Sequence, residues 1–211
     1  MPEKKQYDTY LIDWDGTAAC TLAIWLGALQ QAHAKRGLYS TDRELAAGFG
    51  DWNHSVSLGV KDISVFKKDV VASALELCMT PTLYPGTKDK LEELHSDGKK
   101  LALVSSSSRD LLMHAVEHTG LASLFDVVIA AEDVANHKPH PESIELALHK
   151  LGSQAASTVL VGDSDKDLGA AQNAGIDCIF FNPAEHAIFY DKDDLVQRFN
   201  PVRTITQWQE L

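Results

Sequence analysis

The sequence predicts an α/β protein: a doubly wound parallel sheet of the Rossmann-like kind, with helices inserted after the first strand. Three observations predict it. An apolar strand at residues 7–14 opens the chain. No convincing strand follows until residue 100, because residues 21–36 and 41–78 read as mainly helical. From Tyr84-Pro85-Gly86 onward helix and strand alternate, the pattern of parallel strands joined by crossover helices.

Each element has its own signal. Tyr10, Leu11 and Ile12 centre the first strand, which ends in the turn pair Asp15-Gly16. The helix over 21–36 stops at Gly37, and the helical region 41–78 is broken by the Gly-, Asp- and Asn-bearing stretch 48–59. A charged helix over 88–97 stops at Gly98, a strand covers 100–105, and a helix over 109–118 stops at Gly120. Residues 125–130 form an apolar strand, and Pro141 opens a helix over 141–151, a position proline favours. A strand over 158–161, a helix over 166–174 stopped by Gly175, and a strand over 177–181 follow. The tail holds a helix near 193–199, a short strand at 202–205, and an end that packs back through Trp208. Residues 1–17 and 83–211 are therefore assigned to the α/β core, and 18–82 to a helical insertion. No internal repeat is visible.

Composition bounds the function. The 211 residues carry 30 acidic and 19 basic side chains, a formal charge of −11, and 45% are hydrophobic, enough for a packed core. Phosphate backbones need clustered positive charge, and no Lys/Arg-rich run supplies it, which argues against a nucleic-acid-binding face. An anionic substrate would need local cations against the overall field. Cys20, Cys78 and Cys178 are widely spaced with no Cys-x-x-Cys, so neither a disulfide framework nor a thiolate metal site is expected. The start MPEKKQYDTY has no apolar signal segment, and no apolar run reaches the ~20 residues of a membrane helix. The expectation is a soluble cytoplasmic protein, monomer or homodimer, with no membrane partner.

Chemistry-bearing residues fall at the strand ends, where open α/β sheets bind their ligands. Asp13 and Asp15, two apart in an extended chain, point the same way. Such a pair is costly unless it shares a cation or a proton, although a solvated Asp-Gly turn has the same sequence. Ser105 opens the run Ser105-Ser106-Ser107-Ser108-Arg109, whose hydroxyls and free amides suit an anion or a helix cap equally. Lys138 in HKPHPE could neutralise a bound phosphate or simply be a surface lysine. His137 and His140 make only a weak metal signal in a proline-rich loop. Asp163 and Asp167 in VGDSDKD fit a helix cap, or a hard cation such as Mg2+ that prefers oxygen ligands.

The ordered set resembles the haloacid dehalogenase superfamily. Asp13-Trp14-Asp15-Gly16-Thr17 is similar to its DxDGT motif, Ser105 to its second-motif Ser/Thr, Lys138 to its third-motif lysine, and Gly162–Asp167 to GDSxxD. Tyr84-Pro85-Gly86 and the stretch 170–175 resemble the subgroup containing phosphoglycolate phosphatase and β-phosphoglucomutase, which carries a helical cap after motif one. The resemblance implies that Asp13 is a nucleophile taking the phosphoryl group. Asp15 would protonate the leaving oxygen and then activate water. Ser105 and Lys138 would hold the phosphoryl group; the serine run after Ser105 departs from the family, and Ser106 and Arg109 are added as candidate phosphate contacts. Asp13, the main-chain carbonyl of Asp15, and Asp163 would bind Mg2+, and Asp167 would orient Lys138 or a metal-bound water.

The expected function is a Mg2+-dependent phosphatase of a small phosphorylated metabolite, with a phosphomutase of the β-phosphoglucomutase type as the alternative. The presence of Asp15 argues against a dehalogenase, and Lys61, Lys67 and Lys68 read as surface lysines rather than a Schiff-base group. The intact set of Asp13, Asp15, Ser105, Lys138 and Asp163 argues against a non-catalytic module. Substrate choice is expected from the insertion, through Trp52, Asn53 and His54 in the loop 49–55, with Arg43 nearby. Cys20 departs from an acidic residue that the family often has there, and reads as a packed hinge residue. Trp14 and Trp25 read as packing residues, as the remaining histidines read as surface or core.

Overall fold

The computed structural model describes residues 5–49 and 51–211; residues 1–4 of the core assignment and Gly50 of the 49–55 loop lie outside them. In chain order the elements are β1 (Thr9–Ile12), α1 (Leu22–Ala34), α2 (Asp42–Ala46), α3 (Trp52–Ser57), α4 (Ile63–Met79), α5 (Thr87–Ser96), β2 (Lys100–Val104) and α6 (Arg109–His118). There follow β3 (Val127–Ile129), α7 (Glu142–Leu151), β4 (Thr158–Gly162), α8 (Asp165–Ala174), β5 (Asp177–Phe181), α9 (Lys192–Phe199) and β6 (Arg203–Ile205). Among the described residues no helix is long and apolar enough to cross a membrane.

All six strands run parallel in the order β3-β2-β1-β4-β5-β6. The chain starts in the middle, winds outward one way, then returns to the other side of β1. That reversal opens a crevice at the carboxyl ends of β1, β2 and β4. Alternate residues serve opposite faces of the sheet. Ile12, Leu103 and Val161 pack into one buried cluster that includes Trp208, while Leu11, Val104 and Leu160 pack into the other, against α7 and α8. Burying each such side chain is worth roughly 1.5–3 kcal/mol.

The first strand is shorter than the apolar run suggests, because the backbone turns at the acidic end. The Asp13 amide still pairs with the Val161 carbonyl at 3.0 Å, and Gly16 then adopts φ +82°. A Cβ on Gly16 would lie 2.5 Å from Asp163 Oδ2, so both the turn and the close approach require glycine.

The chain leaves the sheet and returns to it at adjacent points. The Cys20 amide bonds the Thr82 carbonyl at 2.9 Å, and the Tyr84 amide bonds the Ala18 carbonyl at 3.1 Å. Between these paired segments α1–α4 bury their own cluster, with Phe66, Val70 and Ala74 fully enclosed, and Leu111 of α6 joins it. Cys20 is half-buried in this double connection, and burial pushes its thiol up, away from a reactive thiolate.

Candidate active site

Three strand ends and one loop deliver the site. Asp13 follows β1, Ser105 follows β2, Asp163 follows β4, and Lys138 reaches in from the loop before α7. All four are buried. Lys138 Nζ donates to Asp13 Oδ1 at 2.5 Å, Asp167 Oδ1 at 2.6 Å and the Val104 carbonyl at 3.1 Å. These three bonds use every donor of the ammonium. Burial alone would push the Lys138 amine down, but Asp13 and Asp167 outweigh it and hold the charge.

One oxygen each of Asp13, Asp163 and Asp167 lies within 4.8 Å of the others. Burial pushes the Asp13 carboxyl up to about 7, helped by Asp167 and opposed by Lys138. Burial also raises Asp163 well above the ordinary carboxylate range, followed by the charges of Asp13 and Asp167. Lys138 brings one positive charge to three clustered carboxylates. Both oxygens of Asp167 are engaged, Oδ1 by Lys138 and Oδ2 by the Ser164 amide and hydroxyl. Asp163 Oδ1 accepts from Thr17 at 2.8 Å, while its buried Oδ2 has no hydrogen-bond partner among the described residues. A buried, unpartnered carboxylate oxygen beside a second carboxylate is the donor set that a hard divalent cation fits.

Asp15 sits apart from this cluster and is held from three sides. Its Oδ1 accepts from Thr21 at 2.7 Å and from the Trp25 indole at 3.1 Å, and its Oδ2 from Ser107 at 2.7 Å. Trp25 is therefore more than the packing residue expected, and Ser107 more than a cap. Thr21 and Trp25 are four apart, so they share one face at the start of α1. That spacing is the only sequence signal for the pair.

Above these groups lies a cavity of about 410 Å³. Ser105 and Ser106 line it, as does Trp52. The other expected contacts go elsewhere. The Arg109 guanidinium turns away to Asp133 and the Val128 carbonyl, because Asp133 sits beside it in the turn after β3. His54 Nε2 bonds the Glu44 carbonyl at 2.7 Å, tying α3 to α2. Arg43 and Asn53 are exposed and lie outside the lining.

Carboxylates, a serine and a lysine gather in a crevice at the switch point of a parallel sheet, in a protein of the doubly wound α/β class. The model of the haloacid dehalogenase-like hydrolase family matches residues 10–181, and the chain belongs to that family. It is 32% identical over 180 residues to pyrophosphatase PpaX of Bacillus pumilus, covering 80% of each chain. PpaX of Halalkalibacterium halodurans is 35% identical over 118 residues, 56% of this chain and 53% of that one. Among solved structures, a HAD family hydrolase from Deinococcus radiodurans with bound phosphate and sodium aligns at TM-score 0.82 and 22% identity, over 98% of this chain and 94% of that one. CbbY from Rhodobacter sphaeroides in complex with phosphate aligns at 0.79 and 23%, over 98% and 96%. These two share the fold. Family membership and the names of the relatives support a phosphatase, and the family generally uses a divalent metal.

Proposed function

We propose that the chain is a Mg2+-dependent phosphatase that hydrolyses a small phosphate monoester through an aspartyl phosphate on Asp13. The observation that carries this reading is the Lys138 ammonium bonded to Asp13, beside the unpartnered oxygen of Asp163, on the floor of a cavity. Asp13, the Asp15 carbonyl and Asp163 would hold the Mg2+, whose charge offsets the repulsion between the phosphate dianion and the Asp13 carboxylate.

An Asp13 carboxylate oxygen attacks phosphorus, the bond to the ester oxygen breaks, and Asp15 gives that oxygen its proton. Asp15, now a carboxylate, takes a proton from water as the water oxygen attacks the aspartyl phosphate. Inorganic phosphate leaves and the Asp13 carboxylate is restored. Ser105 and Lys138 hold the transferring phosphoryl group, with Lys138 aligned by Asp167. Residues 18–82 act as a cap on the core of 1–17 and 83–211, closing over the aspartyl phosphate to exclude competing water. A mutase must also hold a second phosphoryl group away from Asp13. Among the described residues no basic side chain of α1–α4 lines the cavity, which favours hydrolysis over transfer. The name of the PpaX relatives makes pyrophosphate one substrate to test.

Phosphate release from p-nitrophenyl phosphate, with and without Mg2+, tests the reading. Metal-dependent turnover that disappears in a folded Asp13→Asn variant is expected. Full turnover in EDTA, or an Asp13→Asn protein keeping more than about a tenth of the wild-type kcat, would overturn it.

A further inference from the structure

We propose that the leaving group accepted by this site is apolar and carries no second anionic group, so that the substrate class is an alkyl or aryl phosphate monoester. This deepens the phosphatase reading and rests on it. The cavity is chemically divided. Its floor is polar, and its walls are Leu29, Leu45, Phe49, Trp52, Val70 and Val71. The volume of about 410 Å³ falls within the roughly 300–1,000 Å³ of small-molecule pockets. The part around these side chains is therefore mostly apolar, with Ser55 beside them.

Charge points the same way. Among the described residues the basic side chains of the lining are Lys138 and Lys166, from the loop before α7 and from α8, and none comes from α1–α4. Two cations of the helical segment are engaged elsewhere. Arg36 bonds the Ala32 carbonyl and Asp69. Lys67 stacks 5.3 Å from the centroid of the Trp52 ring and does not line the cavity. The ionisable group the segment does bring to the lining is an acid, Asp51. A carboxylate or second phosphate on the leaving group would be desolvated against Trp52 and Val70, where α1–α4 bring no counter-charge, which selects against it. Each apolar methylene buried there raises kcat/KM by up to roughly fourfold.

The test compares kcat/KM with Mg2+ for hexyl phosphate and 2-phenylethyl phosphate against phosphoglycolate, glycerol 3-phosphate and pyrophosphate. The esters share primary alkyl leaving groups, so recognition dominates the ranking. The apolar pair should exceed phosphoglycolate and pyrophosphate by at least about tenfold. Preference for either anionic substrate would overturn the inference and leave the phosphatase reading intact. Failure to release phosphate from any of them, p-nitrophenyl phosphate included, would overturn that reading and the inference with it. Val71 is 42% exposed on α4, so Val71→Lys can add a cation at the wall without disturbing the core. It should narrow the gap between 2-phenylethyl phosphate and phosphoglycolate, and an unchanged gap would argue that this wall does not meet the leaving group. Lys67→Ala should leave the ranking as it is, and a ranking that changes would place anion recognition on Lys67 and overturn the proposal.

Discussion

His186 Nδ1 lies 3.9 Å from Asp163 Oδ2, and both are buried without a hydrogen-bond partner among the described residues. The other ring nitrogen pairs with the Tyr84 hydroxyl at 2.7 Å. A phenol that donates to Nε2 leaves the imidazole proton on Nδ1, facing the carboxylate. The ring edge thus lies beside the oxygen proposed to hold the metal, beyond direct hydrogen-bond distance.

Burial pushes the His186 imidazole down to about 4. Above 6.5 the ring is neutral in both the folded and the open chain. As pH falls below 6.5 the open chain takes a proton that the folded ring refuses, so the stability contributed by His186 is lost progressively toward about 4. The full gap corresponds to about 3 kcal/mol. The stability difference between wild type and His186→Gln, from urea unfolding, should narrow between pH 7 and 4.5. A difference that stays constant over that range would count against a neutral buried ring.

The acidic cluster has the opposite sign. Burial, then neighbouring carboxylates, raises Asp13 to about 7 and Asp163 well above its ordinary value. Without metal, the folded state binds more protons than the open chain between about 4 and 7, so its stability rises as pH falls through 7. Metal needs those oxygens deprotonated, so binding releases protons and strengthens with pH. The rise in Tm on replacing EDTA by Mg2+ should therefore be larger at pH 8 than at pH 6. Equal rises would show that Asp13 and Asp163 do not hold the ion.

Ser107 donates to Asp15 from the core side, while Thr21 and Trp25 donate from the entry to α1. Ser107→Ala removes one of these three anchors from the proposed acid and base. The kcat for an alkyl phosphate should fall roughly tenfold, with KM little changed, because orientation matters most when the proton moves. p-Nitrophenyl phosphate, whose leaving group needs little protonation, should lose less, and Ser107→Thr should recover part of the loss. Equal losses on both substrates would mean that Ser107 does not act through Asp15.

The strand ends were legible because they depend on order alone. Asp13, Ser105, Lys138 and Asp163 each follow or precede an element whose apolar pattern is clear, and parallel winding brings those points together. Side-chain direction was not legible. Arg109 is claimed by Asp133, twenty-four residues further on, and no local pattern announces that pairing. His186 comes from an irregular turn after β5 and meets Tyr84, 102 residues earlier, through the packing of the sheet. Trp25 carries both an apolar face and an N–H donor, and spacing reveals only the first.

The segment expected as a loop over 49–55 instead starts α3 at Trp52, because Asp51 caps it by accepting from the Asn53 amide, and it gives the last prediction by dividing two residues expected to act together. Trp52 lines the cavity, whereas His54 is spent on the Glu44 carbonyl, with its ring against Gly48. A Cβ on Gly48 would lie 2.0 Å from that ring, so the histidine and the turn between α2 and α3 are fitted to each other. His54→Ala removes a hydrogen bond worth about 1 kcal/mol and should lower Tm by roughly 2–4 °C. The ranking of 2-phenylethyl phosphate over glycerol 3-phosphate should not change. Trp52→Ala removes part of the apolar wall itself and should reduce that preference by roughly tenfold or more. Melting curves and kcat/KM ratios for the two variants separate the roles. A His54→Ala protein with an unchanged Tm and an altered ranking would return His54 to the substrate side of the loop.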